Sequence, residues 1–103
     1  MTRRGLFSIP ASELAGESIE TLLNCRNVTI ERIVSPPRTR TREFDQPQDE
    51  WVCLLQGSAT LELAGQRLRL QAGEPLFIPA HTLHRVLETS TATPCIWLAV
   101  HIH

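Results

Sequence analysis

Residues 50–84 read EWVCLLQGSATLELAGQRLRLQAGEPLFIPAHTLH, and the alternation within them decides the fold class. Leu61 and Leu63 alternate with Glu62, and Leu68 and Leu70 with Arg67 and Arg69, the period-two texture of strands with one buried face. Between the two runs Ala64-Gly65 reads as a tight hairpin turn. Outward in both directions the chain continues as short runs of Val, Ile, Leu, Thr and Trp separated by Gly, Pro and Asp. This predicts strands over 28–34, 39–44, 51–56, 59–63, 67–70, 75–78, 84–89 and 95–102. So many short strands imply an all-β antiparallel barrel or jelly roll, architectures that close or cover their edges. Upstream, Leu14, Ile19, Leu22 and Leu23, with Glu17 and Ser18 near a helix start, predict a short helix interrupted near Gly16. The expected organisation is an N-terminal segment over 1–27 carrying that helix, and a barrel over 28–103.

At 103 residues the chain has room for one domain and one modest core. Apolar residues make up 42% and charged residues 20%, which excludes a disordered or collagen-like chain. A net charge of -1 supplies no basic excess to displace counterions from a nucleic acid, so no such partner is expected. Every basic side chain apart from histidine is Arg, and the lack of Lys removes Schiff-base and P-loop mechanisms. Arg38, Arg40 and Arg42 share one face of an extended segment and read as a solvated strand face. Cys25, Cys53 and Cys95 are widely spaced and form no C-x-x-C pair. That argues against a disulfide framework or thiolate zinc site, and for a reducing, cytoplasmic compartment. The first residues lack the continuous apolar stretch of a signal peptide, and no window is apolar over the roughly 18 to 20 residues of a membrane span. Neither secretion nor a membrane partner is expected.

Two spacings within the opening stretch carry chemistry. Gly73 is followed by five residues, Pro79, and then His84 at the start of a strand; Glu50 is followed by six residues and Gly57. In this order, with a short hairpin between them, they resemble the second motif and the closing half of the first motif of the cupin superfamily. The segments 45–52, 79–86 and 97–101 are similar to small single-domain bacterial cupins. The resemblance covers residues 28–102 and implies a compact antiparallel cupin barrel with a small-molecule or metal site inside it, and a homodimer.

In the cupin pattern two His and a Glu of the first motif and one His of the second surround a divalent metal. Glu50 and His84 match. The stretch before Glu50, EFDQPQD at 43–49, holds no His: the shorter family spacing puts the two positions on Phe44 and Gln46, the longer on Glu43 and Asp45. Asp45 or Gln46 is thus a candidate oxygen ligand beside Glu50. With His84, and His101 from the last strand, this makes a mixed N/O site suited to Fe, Mn, Ni or Zn. In an enzyme of this kind Glu50 would serve as ligand or general base. His101 or His81, the latter at the second motif's usual Gly, would carry protons. The alternative is a metal-free cluster of Glu50, His84 and His101 in a ligand-binding, sensing or assembly module, favoured by the loss of the two-His half-motif. Trp51 and Trp97 read as core or subunit-contact residues, and Cys53 lies on the face opposite Glu50. No serine nucleophile elbow or phosphate-binding glycine loop is present, and a fold of this kind does not by itself specify a reaction.

Overall fold

A computed structural model describes residues 5–103. Eight strands follow one short 3-10 turn at Ala11–Leu14: β1 (Ser18–Cys25), β2 (Val28–Ser35), β3 (Asp49–Gln56), β4 (Ser58–Leu63), β5 (Gln66–Gln71), β6 (Pro75–Ile78), β7 (His84–Thr89) and β8 (Cys95–Ile102). They form two antiparallel sheets, one of five strands in the order β1-β2-β8-β3-β6 and one of three in the order β5-β4-β7. Alternation sends Val52, Leu54, Ile78, Trp97 and Ala99 of the larger sheet against Ala59, Leu61 and Leu70 of the smaller, and these make the core. This is the all-β barrel expected from the alternation.

Local chemistry explains the two turns that fix this register. Ala64 and Gly65 have φ of 50° and 80°, the pair of left-handed residues that a two-residue hairpin needs to match strand twist. Gly57, which closes the Glu50 spacing, has φ of 90°, and a Cβ there would lie 2.7 Å from the Cys95 sulfur. A glycine is therefore required for both conformation and space.

Two segments differ from the expectation. Helix does not follow Gly16: Ser18–Cys25 is an edge strand paired along β2, with a bulge between Thr21 and Leu23. The sequence between 39 and 44 is not a regular strand but runs along β7. Its backbone hydrogen bonds there are Thr89 N–H to Thr39 O at 3.1 Å, Thr41 N–H to Val86 O at 3.0 Å, Phe44 N–H to His84 O at 2.8 Å and His84 N–H to Phe44 O at 3.1 Å. Arg32 is buried on the outer face of the larger sheet. It donates to the carbonyls of Leu6 and Ser8 and pairs with Glu13 and Glu20, which fastens the N-terminal segment over that face. Among the described residues no helix is long and apolar enough to cross a membrane.

Candidate functional site

A cavity of about 140 Å³ opens between the sheets. Its wall is mainly apolar, with Ile19, Ile33, Phe44, Val52, Leu61, Ile78, Val86 and Trp97 around it, and Gln46, Glu50, His84 and His101 among its polar residues. An apolar enclosure with a few polar groups is the usual form of a small-molecule site. Glu50 (β3), His84 (β7) and His101 (β8) are all buried. Glu50 and His101 are directly opposite in the β3–β8 ladder, and His84 reaches across from the other sheet.

The His84 ring is oriented by its own turn: Nδ1–H donates to the Thr82 carbonyl at 2.8 Å, which sets Nε2 4.0 Å from Glu50 Oε1. Phe44 stacks on the same ring at 5.7 Å between centroids. Burial pushes the Glu50 carboxyl above the usual carboxylate range; the nearby His101 and His84 rings pull it back down in part, and the Glu31 carboxylate adds to the rise. His101 is engaged on both nitrogens. Gln48 Nε2 donates to Nδ1 at 3.1 Å, and Nε2–H donates to Glu31 Oε1 at 2.9 Å. Gln46 lines the cavity, and its Oε1 is buried with no hydrogen-bond partner.

Of the residues singled out in the sequence, Glu50, His84, Gln46 and His101 come together at the cavity, and Asp45 and His81 do not. Asp45 Oδ1 pairs with His81 Nδ1 at 3.2 Å, with both side chains more than half exposed. The side chains part here: Phe44, Gln46 and Glu50 line the cavity and Gln48 reaches His101, while Asp45 faces outward, so the shorter of the two family spacings describes this chain. His81 has φ of 58°, a left-handed turn conformation for which glycine is the ordinary choice, and its ring projects to solvent. Trp97 lies in the core with its indole N–H on Ser35 Oγ at 3.1 Å, while Trp51 is on the outer face of the sheet.

Glu31, Gln48 and Thr82 were not singled out from the sequence. The same inward parity that marks Glu50 marks Gln48. Glu31, a charge in the apolar run Val28–Val34 on the parity of the cavity residue Ile33, carried the same signal.

These donors do not fit a divalent transition metal. Such sites take at least three firm protein ligands, and the first-motif histidine positions hold a phenyl ring and an amide instead. His101 has no free nitrogen, Asp45 faces away, and among the described residues no three His, Cys, Asp or Glu side chains are grouped as metal ligands. One imidazole, one carboxyl with a raised proton affinity and one amide side chain are the polar groups these positions bring to the cavity.

Comparison with known proteins places this geometry in a family. No curated protein matches the chain. A solved structure from Ralstonia eutropha JMP134, provisionally described as a mannose-6-phosphate isomerase, is 35% identical, with 99% of this chain and 98% of that one covered and a TM-score of 0.88. The TT1209 protein of Thermus thermophilus is 16% identical over 99% of this chain and 97% of its own, with a TM-score of 0.82. A cupin superfamily protein of Desulfitobacterium hafniense DCB-2 is 20% identical over 84% and 76%, with a TM-score of 0.74. The last two show the shared fold. The family model described as a cupin domain matches residues 32–101, which include Glu50, Gly57, Gly73, Pro79 and His84, so the chain belongs to the cupin family.

Proposed function

We propose that this chain is a cupin that binds a small molecule inside its barrel without a metal cofactor. The mainly apolar cavity with the buried Glu50 and His84 at its wall carries this reading, because an apolar enclosure with a few polar groups is the usual form of a small-molecule site. Phe44, stacked on His84 where the family pattern has a histidine, supports the metal-free form. The three free thiols fit a reducing compartment, and we place the protein in the cytoplasm on that basis. The proposal includes pairing of two copies through the outer face of the larger sheet, where Leu23, Trp51 and Phe77 are exposed.

The test is stability against metal. A site-bound ion present at a hundred times its dissociation constant would add about 2.7 kcal/mol. Chelated protein titrated with Fe, Mn, Ni and Zn should show no such gain, and untagged protein should carry well under one transition metal per chain. A gain abolished by Glu50→Gln or His84→Ala would overturn the metal-free reading and restore the mixed N/O site.

A second reading, acid–base chemistry on the bound molecule, is favoured by the Glu50 carboxyl facing His84 Nε2 at 4.0 Å. A carboxyl held above its usual range beside an imidazole is suited to moving a proton across a ligand held by both. It predicts hydrogen–deuterium exchange at a ligand carbon that ceases in Glu50→Gln; binding without exchange leaves a binding module.

A further inference from the structure

The two ends of the cavity differ in kind, and its size limits what can lie between them. Glu50 and His101 are register partners in the β3–β8 ladder, and with His84 and Gln46 they make one end polar. Four residues along β8, about 13 Å at strand rise, Trp97 is paired with Ile33, and Ile33 with Ile19. This apolar rank shares the cavity wall with Leu61 and Val86, partners in the smaller sheet. The polar groups near it are turned to the protein. Glu17 accepts the Ser35 hydroxyl at 2.9 Å, Ser35 accepts the Trp97 indole N–H at 3.1 Å, and the Thr41 hydroxyl donates to the Arg42 carbonyl at 2.9 Å. Arg85 reaches outward to Glu62, its register partner on β4. The wall runs out to the surface at Ile19, which is exposed. At about 140 Å³ the space matches an apolar cavity of about 150 Å³ that stays dry and takes up benzene. A sugar phosphate such as mannose 6-phosphate, the compound in the description of the Ralstonia protein, is much larger and would press hydroxyls against side chains that cannot pair them.

We propose that the ligand is a small alcohol or phenol: a benzene-sized apolar body among Trp97, Ile33, Leu61 and Val86, with one hydroxyl directed to Glu50, Gln46 and His84. A hydroxyl both donates and accepts, so it pairs at this end whichever of these side chains carries a proton. Burial of the apolar body supplies the affinity, and the hydroxyl sets the orientation. The inference rests on the metal-free binding reading and narrows it by size and polarity.

Benzyl alcohol, mannose and mannose 6-phosphate test it in chelated protein, with both indole N–H signals followed by two-dimensional NMR. The Trp97 signal at the cavity should shift, while that of Trp51 on the outer face stays in place as the control. Benzyl alcohol should bind about thirty- to a hundredfold more tightly than either sugar, the worth of roughly 100 Å² of ring surface removed from water. Val86→Phe occupies the apolar end and should abolish that binding, with a dispersed spectrum reporting the fold. Ile33→Thr puts a hydroxyl in the wall without added bulk and should weaken it about tenfold. A sugar or sugar phosphate binding as tightly as benzyl alcohol would overturn the assignment while the metal-free cavity stands. Benzyl alcohol binding that neither variant moves would overturn it by placing the ring elsewhere. Binding of any of the three only after Mn or Zn is added would overturn the metal-free reading instead. No response to any of them, with a folded spectrum, would overturn both.

Discussion

The chemistry of this cupin turns on a carboxyl kept from water. Because burial raises the Glu50 pKa, the native state holds its proton to higher pH than the unfolded chain does, so Glu50 stabilises the fold less as pH rises. The full contribution is present below the unfolded value of 4.5 and is lost as pH climbs through the raised native value. Glu50→Gln removes this dependence. It should match the parent at low pH and exceed it at neutral pH, by about 1.4 kcal/mol for each pH unit of elevation, with His84, His101, Glu31 and Glu17 retained around it. Urea denaturation at pH 4 to 8 checks the crossover, and a variant less stable than the parent at neutral pH would show that Glu50 is held ionised instead. A companion prediction concerns parity. Replacing Phe44 and Gln46 together by His should create a transition-metal site with Glu50 and His84, whereas His at Glu43 and Asp45 should not, because those side chains face outward. Metal stoichiometry by elemental analysis decides it.

Among the elements, the regular strands were legible from alternation, and the irregular ones were not. The β4–β5 hairpin could be read outright because each of its residues obeys period two and its turn needs a glycine. β1 was read as helical for a physical reason. The bulge between Thr21 and Leu23 breaks the alternation, and an exposed edge strand keeps apolar side chains such as Ile19 and Leu22 in solvent, where nothing enforces a period. Glu50 and His84 were legible because two spacings converge on them. Gln46 could not be separated from Asp45, since the chain bends at Pro47 and Gln48 before β3 begins, and strand parity cannot be counted back across a bend. Arg32 shows the cost of anchoring an N-terminal segment by polar contacts. Its guanidinium satisfies the Leu6 and Ser8 carbonyls and two carboxylates, of which Glu20 is 42% exposed. Arg32→Met fills similar space without donors and should cost about 2–3 kcal/mol, less than a fully buried pair would because of that exposure. Limited proteolysis should then cut within residues 5–17 while the barrel stays folded; protection equal to the parent would mean that apolar contacts alone hold the segment.

At the scale of the whole molecule, the two faces of the larger sheet have different tasks. The inner face builds the cavity. On the outer face Leu23, Ile30, Val100, Trp51 and Phe77 are successive register partners across all five strands, an apolar rank running at right angles to the chain. It is open at one end and along the other: Leu23 is 48% exposed, Trp51 37% and Phe77 51%, with Ile30 and Val100 half-buried between them. The described N-terminal residues are fastened to this same face at Arg32 through the Leu6 and Ser8 carbonyls, beside the buried Val34 and Ile96. A contiguous apolar stripe of this kind marks an association surface, and a two-fold axis through it would set each copy's rank against the other's. The protein should therefore have a dimeric mass by light scattering at micromolar concentration, and Trp51→Glu should give a monomer. Since Trp51 and Glu50 point to opposite faces of β3, that monomer should keep the parent's Trp97 indole N–H signal in two-dimensional NMR, the sign of an intact cavity. A monomeric parent would leave the rank without a partner of its own kind, and a dimer unmoved by Trp51→Glu would put the interface elsewhere.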